Sequence, residues 1–378
     1  MTPAIALLAF ALVPPPSSAA DTVAILIRNG LVYDGSGAEA VRADVGVRDD
    51  RIVFVGNAAA ADVHGRREID ATGLIVAPGF IDPHAHAQGD LGSEERAPRE
   101  NLNYLMQGVT TVVVGNDGGG TFDIAGARTR FAGRGIGTNA ALLVGFGAVR
   151  GEVMGMRDAA PTPTELERMR TLVDQAMRDG AVGLSAGLFY SPQSFSTTPE
   201  VVELARVAAR YGGVYDTHLR DESSYNIGLL GSVAEALEIG RQAAIRVNIS
   251  HIKALGVDVW GQADSALDLI RAARAAGQQV TADQYPYDAS GSSLSASLLP
   301  RWAQGGGADS LLARMDNPEA RPRLIADMQD NLRRRNGPEA LLITGGQDQS
   351  LRGKTLAQVA RERGVEPIRA ARDIIRAG

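Results

Sequence analysis

The sequence predicts an α/β protein: a parallel βα array of the TIM-barrel kind, preceded by a small β module. Two observations carry this expectation. From residue 74 onward, short apolar runs alternate with helix-like stretches, the signature of parallel βα units. Before that point, residues 23–77 read strand, turn, strand. The 378 residues are 44% hydrophobic and 22% charged, enough for a substantial core in one large barrel or two ordinary domains, which excludes a disordered chain. A net charge of -6 argues against nucleic acid or an anionic membrane as the main partner. The absence of cysteine excludes a disulfide scaffold, a thiol nucleophile and a thiolate metal site.

The elements follow in chain order. Residues 4–13 form an apolar run, followed by Pro14-Pro15-Pro16 and Ser17-Ser18-Ala19-Ala20-Asp21. The run is shorter than the ~20 apolar residues needed to span a bilayer. Small residues at Ser18-Ala19-Ala20 suit a signal peptidase, although no Lys or Arg precedes Arg28. Residues 1–20 are therefore expected to be a cleaved signal peptide, and the protein to be exported, periplasmic or secreted. Residues 21–77 form the β module. There, Asn29-Gly30 is the stronger hairpin signal and Asp49-Asp50 the weaker one.

Residues 78–378 form the barrel, its first strand candidate beginning a little earlier. The strand candidates are 74–81, 110–115, 140–144, 182–185, 214–216, 247–249 and 280–283. Between them, helices are expected at 163–178, 199–211, 229–243 and 263–276. These make seven βα steps, where a closed barrel needs eight. Residues 290–378 are mostly of helical pattern, with one further short strand candidate at 340–345. The basic run 331–336 is read as a solvated helix end.

Chemistry concentrates in the histidines. Of the five, His84, His86, His218 and His251 fall at or just past strand ends, whereas His64 lies in a polar stretch of the β module. In a parallel barrel all strand C-termini open on one face, so these imidazoles converge there, and convergent neutral imidazoles suit a divalent metal. His84 and His86, at i and i+2 of an extended segment, point the same way. The chain has only two lysines, Lys253 and Lys354, so no lysine between His86 and His218 can be carboxylated to bridge two ions. Asp117 at the second strand's end is the remaining candidate; it either binds a metal or holds the turn before Gly118.

Together the segments PGFIDPHAH, GVTTVVVGND, AVGLSAGLFYSP, YDTHLRDE, NISHIK and ADQYPYDASGSS resemble the N-acyl-D-amino-acid deacylase (D-aminoacylase) branch of the amidohydrolase superfamily. The resemblance runs from about Ala24 to the end of the chain. It implies a small β domain, sandwich-like, with a metal-dependent (β/α)8 barrel that hydrolyses N-acyl-D-amino acids by a zinc-activated water. One or two zinc ions are implied, and other divalent metals suit the same donors. His84 and His86 would bind the weaker metal position, His218 and His251 the tighter one. Asp117 stands where the family usually has cysteine. Lys253 and Tyr285 match positions that hold the substrate's carboxylate. Arg220, Tyr190 and Tyr287 either line the pocket or pack in the barrel.

The family's proton-shuttle aspartate, at the end of strand eight, has no counterpart after Tyr287. Residues 290–378 resemble the insertion before that strand, so the resemblance implies a chain that stops short of strand eight. The expected partner is a small-molecule substrate, with neither nucleic acid nor membrane. The rival expectations are another amidohydrolase (a dihydroorotase- or hydantoinase-like cyclic amidase, or an isoaspartyl dipeptidase) and a non-catalytic metal-binding fragment.

Overall fold

The computed structural model describes residues 21–378. The expected signal peptide, residues 1–20, lies outside the described residues. Two compact units divide between Phe80 and Ile81.

The first unit is one sheet of five strands. β1 (Asp21–Val32), β2 (Val41–Arg48), β3 (Arg51–Gly56) and β4 (Val63–Asp70) lie in the order β3-β2-β1-β4, and β5 (Ile75–Val76) also pairs with β1. Val23, Leu26, Ala58 and Val63 form its small core. Here the expected order of the two turn signals reverses. Asp49-Asp50 makes the β2–β3 hairpin, with Arg48 opposite Arg51 and Asp49 at φ 54°. Asn29-Gly30 makes no hairpin; it is a bulge inside β1, where the register against β2 shifts between Ile27 and Gly30.

The physical reason is that a left-handed residue can be absorbed by a bulge when both flanks find partners. Asn29 takes φ 62° and donates its backbone N–H to the Asp44 carboxylate at 2.8 Å. Beyond it, Leu31 and Tyr33 donate to the carbonyls of Leu74 and Val76. A Cβ at Gly30 would overlap Val76 Cγ2, so the close approach requires glycine.

The second unit contains β6 (Phe80–Ala85), β7 (Val109–Val114), β8 (Asn139–Gly145), β9 (Gly183–Gly187), β10 (Val214–His218), β11 (Arg246–Ile249) and β12 (Val280–Ala282), adjacent in sequence order. The registers from β7 to β12 are parallel. The expected 74–81 strand is corrected: Pro78-Gly79 splits it, β5 staying with the first sheet and β6 running on through His84.

Helices fall where the apolar period placed them, at Pro163–Arg178, Thr198–Ala209, Gly228–Ala243 and Ala263–Ala275. The first shows why: Thr162 and Glu165 form a reciprocal capping box, and Met169, Val173, Ala176 and Met177 make one buried stripe. That stripe joins the strand residues Val112, Val144, Leu184 and Val247 in one core.

The sheet is strongly curled. His84 on the first strand and Asp283 just past the last bring side-chain ligand atoms within 4.8 Å of one another. Seven flat strands at ~4.8 Å spacing would separate those edges by roughly 29 Å. Residues beyond 293 form a helical cluster with its own core, including Leu298, Met315, Leu324, Met328, Leu356 and Ile368. Within it, the strand candidate 340–345 is corrected to a 3-10 turn at Pro338–Ala340 and a single bridge between Leu342 and Thr355. Among the described residues no helix is long and apolar enough to cross a membrane.

Candidate metal centre

Curling gathers the strand ends. His84 lies within β6 and His86 just beyond it; Asp117 follows β7, His218 ends β10, and His251 sits two residues past β11. Asp117 is the common neighbour. Its carboxylate oxygens lie 3.8 Å from His84 Nε2, 3.5 Å from His86 Nε2, 3.8 Å from His218 Nδ1 and 3.4 Å from His251 Nε2. Two triads capable of holding a cation, His84–His86–Asp117 and Asp117–His218–His251, therefore share one carboxylate. His64 is elsewhere, exposed on β4 beside Asp62.

The local backbone aims these groups. Asp117 adopts φ 57° between Gly115 and Gly118, both also at positive φ. Gly118 donates its N–H to Ser185 Oγ at 3.1 Å, and the Asp117 carbonyl accepts from Gln193 Nε2 at 3.0 Å, which pins the loop to β9 and the segment after it. His251 takes φ 37° and donates its N–H to Asp283 Oδ1 at 2.6 Å. Held left-handed conformations at non-glycine residues are costly and concentrate at functional sites.

The electrostatics fit a cation. Burial opposes ionisation of Asp117, but the surrounding His251, His86 and His218 outweigh it and hold its carboxyl far below the usual range. Burial also opposes charge on His251, yet the Asp117 and Glu222 carboxylates beside it raise it to about 9. Burial lowers His218 to about 4 and lowers His84 as well. Asp117 Oδ1 and His84 Nδ1 are buried without a hydrogen-bond partner. A buried carboxylate oxygen without a donor, ringed by imidazole nitrogens, is a set of donor atoms lacking a shared acceptor of electron pairs.

Several residues around this ring were not singled out by sequence. Glu222 is buried behind it and accepts from Lys253 Nζ at 2.6 Å. Its position four residues after His218 was a usable signal. Asp216, two residues before His218 and so on the same strand face, accepts from Asn116 Nδ2 (3.1 Å), Asn248 Nδ2 (2.8 Å) and Ser250 Oγ (3.0 Å). Burial raises its carboxyl to about 6. His84, Asp216 and Asp283 form a third acidic and imidazole group beneath the first two.

The remaining sequence candidates separate. Lys253 and Tyr285 stand together, the ammonium 5.5 Å from the ring centroid, and both line a cavity of about 1110 Å³ walled also by Tyr287, Leu294, Arg335 and Ile343. Tyr190 packs its ring 4.7 Å from that of His218. Arg220 is buried and held by Glu235 at 2.8–3.0 Å.

A curled parallel βα sheet that gathers imidazoles and a carboxylate at its strand ends describes a class, and residues 67–373 match the Amidohydrolase family; the chain belongs to that family. D-aminoacylase of Alcaligenes xylosoxydans xylosoxydans is 37% identical to it over 293 residues, 71% of this chain and 58% of that protein. The N-acyl-D-glutamate deacylase of Bordetella bronchiseptica, solved with zinc and a phosphonate mimic of the tetrahedral intermediate, is 30% identical with a TM-score of 0.77, over 94% of this chain and 70% of that one. A D-aminoacylase crystal structure gives 30% and 0.76, over 93% and 70%. The chain thus spans less than two thirds of the length of the D-aminoacylase it matches.

Proposed function

We propose that the chain is a zinc-dependent amide hydrolase that removes the acyl group from N-acyl-D-amino acids. The observation that carries this reading is the partnerless Asp117 Oδ1, with nitrogens of His84, His218 and His251 at 3.4–3.8 Å, and His86 Nε2 3.5 Å from the other oxygen. Imidazole nitrogens with a carboxylate are a donor set that zinc accepts, so the residues present fit the ion. His84, His86 and Asp117 would hold one position, and Asp117, His218 and His251 the other. A cation there supplies the lowering of a bound water's pKa to ~7 and polarisation of the scissile carbonyl.

The choice of substrate follows the relatives, which are D-aminoacylase and N-acyl-D-aspartate and N-acyl-D-glutamate deacylases. In this chain Lys253 and Tyr285, at the cavity wall, receive the substrate's carboxylate through charge-assisted hydrogen bonds. Tyr287, also on that wall, borders the same space. The buried Phe189 and the half-buried Tyr190 close the site beside His218 and exclude water. In this reading residues 1–20 direct export, and the mature N-terminus of the exported protein is Asp21.

The test is metal analysis of the purified chain together with hydrolysis of N-acetyl-D- and N-acetyl-L-amino acids. Retained zinc and acetate release from the D-series, abolished by a chelator and restored by zinc, are the expected results. A chain that retains no zinc, or that binds it and releases no acetate, refutes the assignment; equal rates on both enantiomers refute the D-selectivity.

A further inference from the structure

We propose that Arg335 is a specificity-determining residue: its guanidinium receives a second carboxylate on the substrate, so the preferred substrates are N-acyl-D-amino acids with an acidic side chain. The inference rests on the amide-hydrolase reading above and names the side-chain class which that reading leaves open.

Arg335 caps the C-terminal end of the helix Arg321–Arg334 and stands half-buried on the wall of the cavity that Lys253 and Tyr285 also line. The helix end is tied to the loops around the centre. Val257, on the loop after Lys253, donates its N–H to the Arg334 carbonyl at 3.3 Å, and a Cβ at Gly256 would overlap that same oxygen. Arg334 Nε donates in turn to the Ser224 carbonyl at 3.0 Å. Arg335 is thereby held beside the loop that carries Lys253. Tyr285, its ring 6.5 Å from that of His251, connects this cavity to the candidate metal centre.

The guanidinium is also oriented. Tyr225 Oη donates its proton to the Ser297 carbonyl at 3.0 Å, and its lone pair accepts from Arg335 Nε at 2.5 Å. The Tyr225 ring packs against Phe189, centroids 5.4 Å apart, and so does not swing freely. With Nε engaged, both Nη groups remain, and among the described residues no ion pair or hydrogen bond occupies them.

The neighbouring charges do not serve Arg335. The Lys253 ammonium is 2.6 Å from Glu222 Oε1, so its charge is already countered within the protein. Of the acids on the cavity wall, Asp348 lies 3.9 Å from Arg363 and Asp373 4.0 Å from Arg369, while Asp288 is exposed. The same wall carries Ala254, Leu294, Leu341 and Ile343. A cation that gives up water against such a surface is stabilised by an anion, and the planar fork of arginine matches a carboxylate. A substrate whose α-carboxylate meets Lys253 and Tyr285 supplies that anion only if its side chain is acidic.

The test is isothermal titration calorimetry of N-acetyl-D-glutamate and its uncharged isostere N-acetyl-D-glutamine, on the full chain freed of metal by a chelator so that neither ligand is consumed. Wild type is expected to bind the glutamate about 10–100-fold more tightly than the glutamine. R335M is expected to bring the two affinities within about threefold by weakening the glutamate alone, and R335Q carries the same expectation if R335M does not fold. A wild-type preference below about threefold, or binding of neither ligand, overturns the proposal without any variant. A folded variant that keeps the preference also overturns it, as does one that loses affinity for both ligands equally, the mark of a merely structural residue. Failure of the underlying reading shows separately, as a zinc-loaded chain that hydrolyses neither compound while the metal-free chain still tells them apart.

Discussion

Replacing Asp117 with asparagine keeps the shape of the side chain and removes one charge from the middle of four imidazoles. In the metal-free chain the group that reports this is His251, held at about 9 against its ordinary value of about 6.5. Its Nε2 is 3.4 Å from Asp117 Oδ1, and both side chains are largely buried, at 10% and 16% exposure. At that range and an effective dielectric of about 20, the attraction is about 5 kcal/mol, or about 3 to 4 pK units. The Glu222 carboxylate still stands beside the ring, so the expected fall is about 2 to 3 units, to near or below the ordinary value.

The sign for stability follows by linkage. The folded-state value of His251 lies above the unfolded one, so its contribution is fully present below about pH 6.5 and is lost as pH rises through about 9. The span corresponds to about 3 kcal/mol in wild type, and most of it disappears in the variant. Histidine NMR titration of the metal-free chain measures the pKa, and urea midpoints against pH measure the linkage. A His251 pKa that moves by less than about half a unit in Asp117→Asn would show that the carboxylate is not what charges the ring.

Other outcomes follow from the same geometry. At about pH 7, zinc binding should release close to one proton, because His251 must lose its own; calorimetry in buffers of different ionisation enthalpy counts it, and zero release contradicts the His251 assignment. Lys253→Met should raise KM for N-acyl-D-amino acids by about 10–100-fold with little change in kcat, and an unchanged KM removes Lys253 from carboxylate binding. Glu200→Gln strands the fully buried Arg150, which Glu200 pairs at 2.9 Å, and should cost about 3 kcal/mol in denaturant unfolding; an unchanged midpoint counts against it. A Cβ at Gly120 would overlap the Leu143 carbonyl oxygen, so Gly120→Ala should displace the loop that carries Asp117 and weaken zinc binding, as chelator competition would show.

The regular parts of the molecule were legible because each carries its own local cause. The helix at Pro163–Arg178 announces itself by Thr162, Glu165 and an apolar stripe, all within one stretch of chain. The ring of His84, His86, Asp117, His218 and His251 was legible because strand ends are readable and parallel strands end on one face. What escaped depends on partners remote in sequence. Asn29-Gly30 is a bulge because Leu74 and Val76 continue the strand past it. Arg220 is held by Glu235 from the following helix, and Asp216 is buried because Asn248 arrives from the neighbouring β11 and Asn116 from the loop after β7. A lone acid or arginine in a sequence carries no mark of such company.

The shared position of Asp117 also constrains the order of folding. Its partners come from β6 on one side and from β10 and β11 on the other, so the centre is complete only once the whole run from β6 to β11 is in place. The grip on an ion forms only when the edges of the curled sheet approach, a closure over long stretches of chain and therefore a late event. An ion present from the start of refolding would then find little to hold, and its stabilising effect would appear as slower escape from the native state rather than faster arrival.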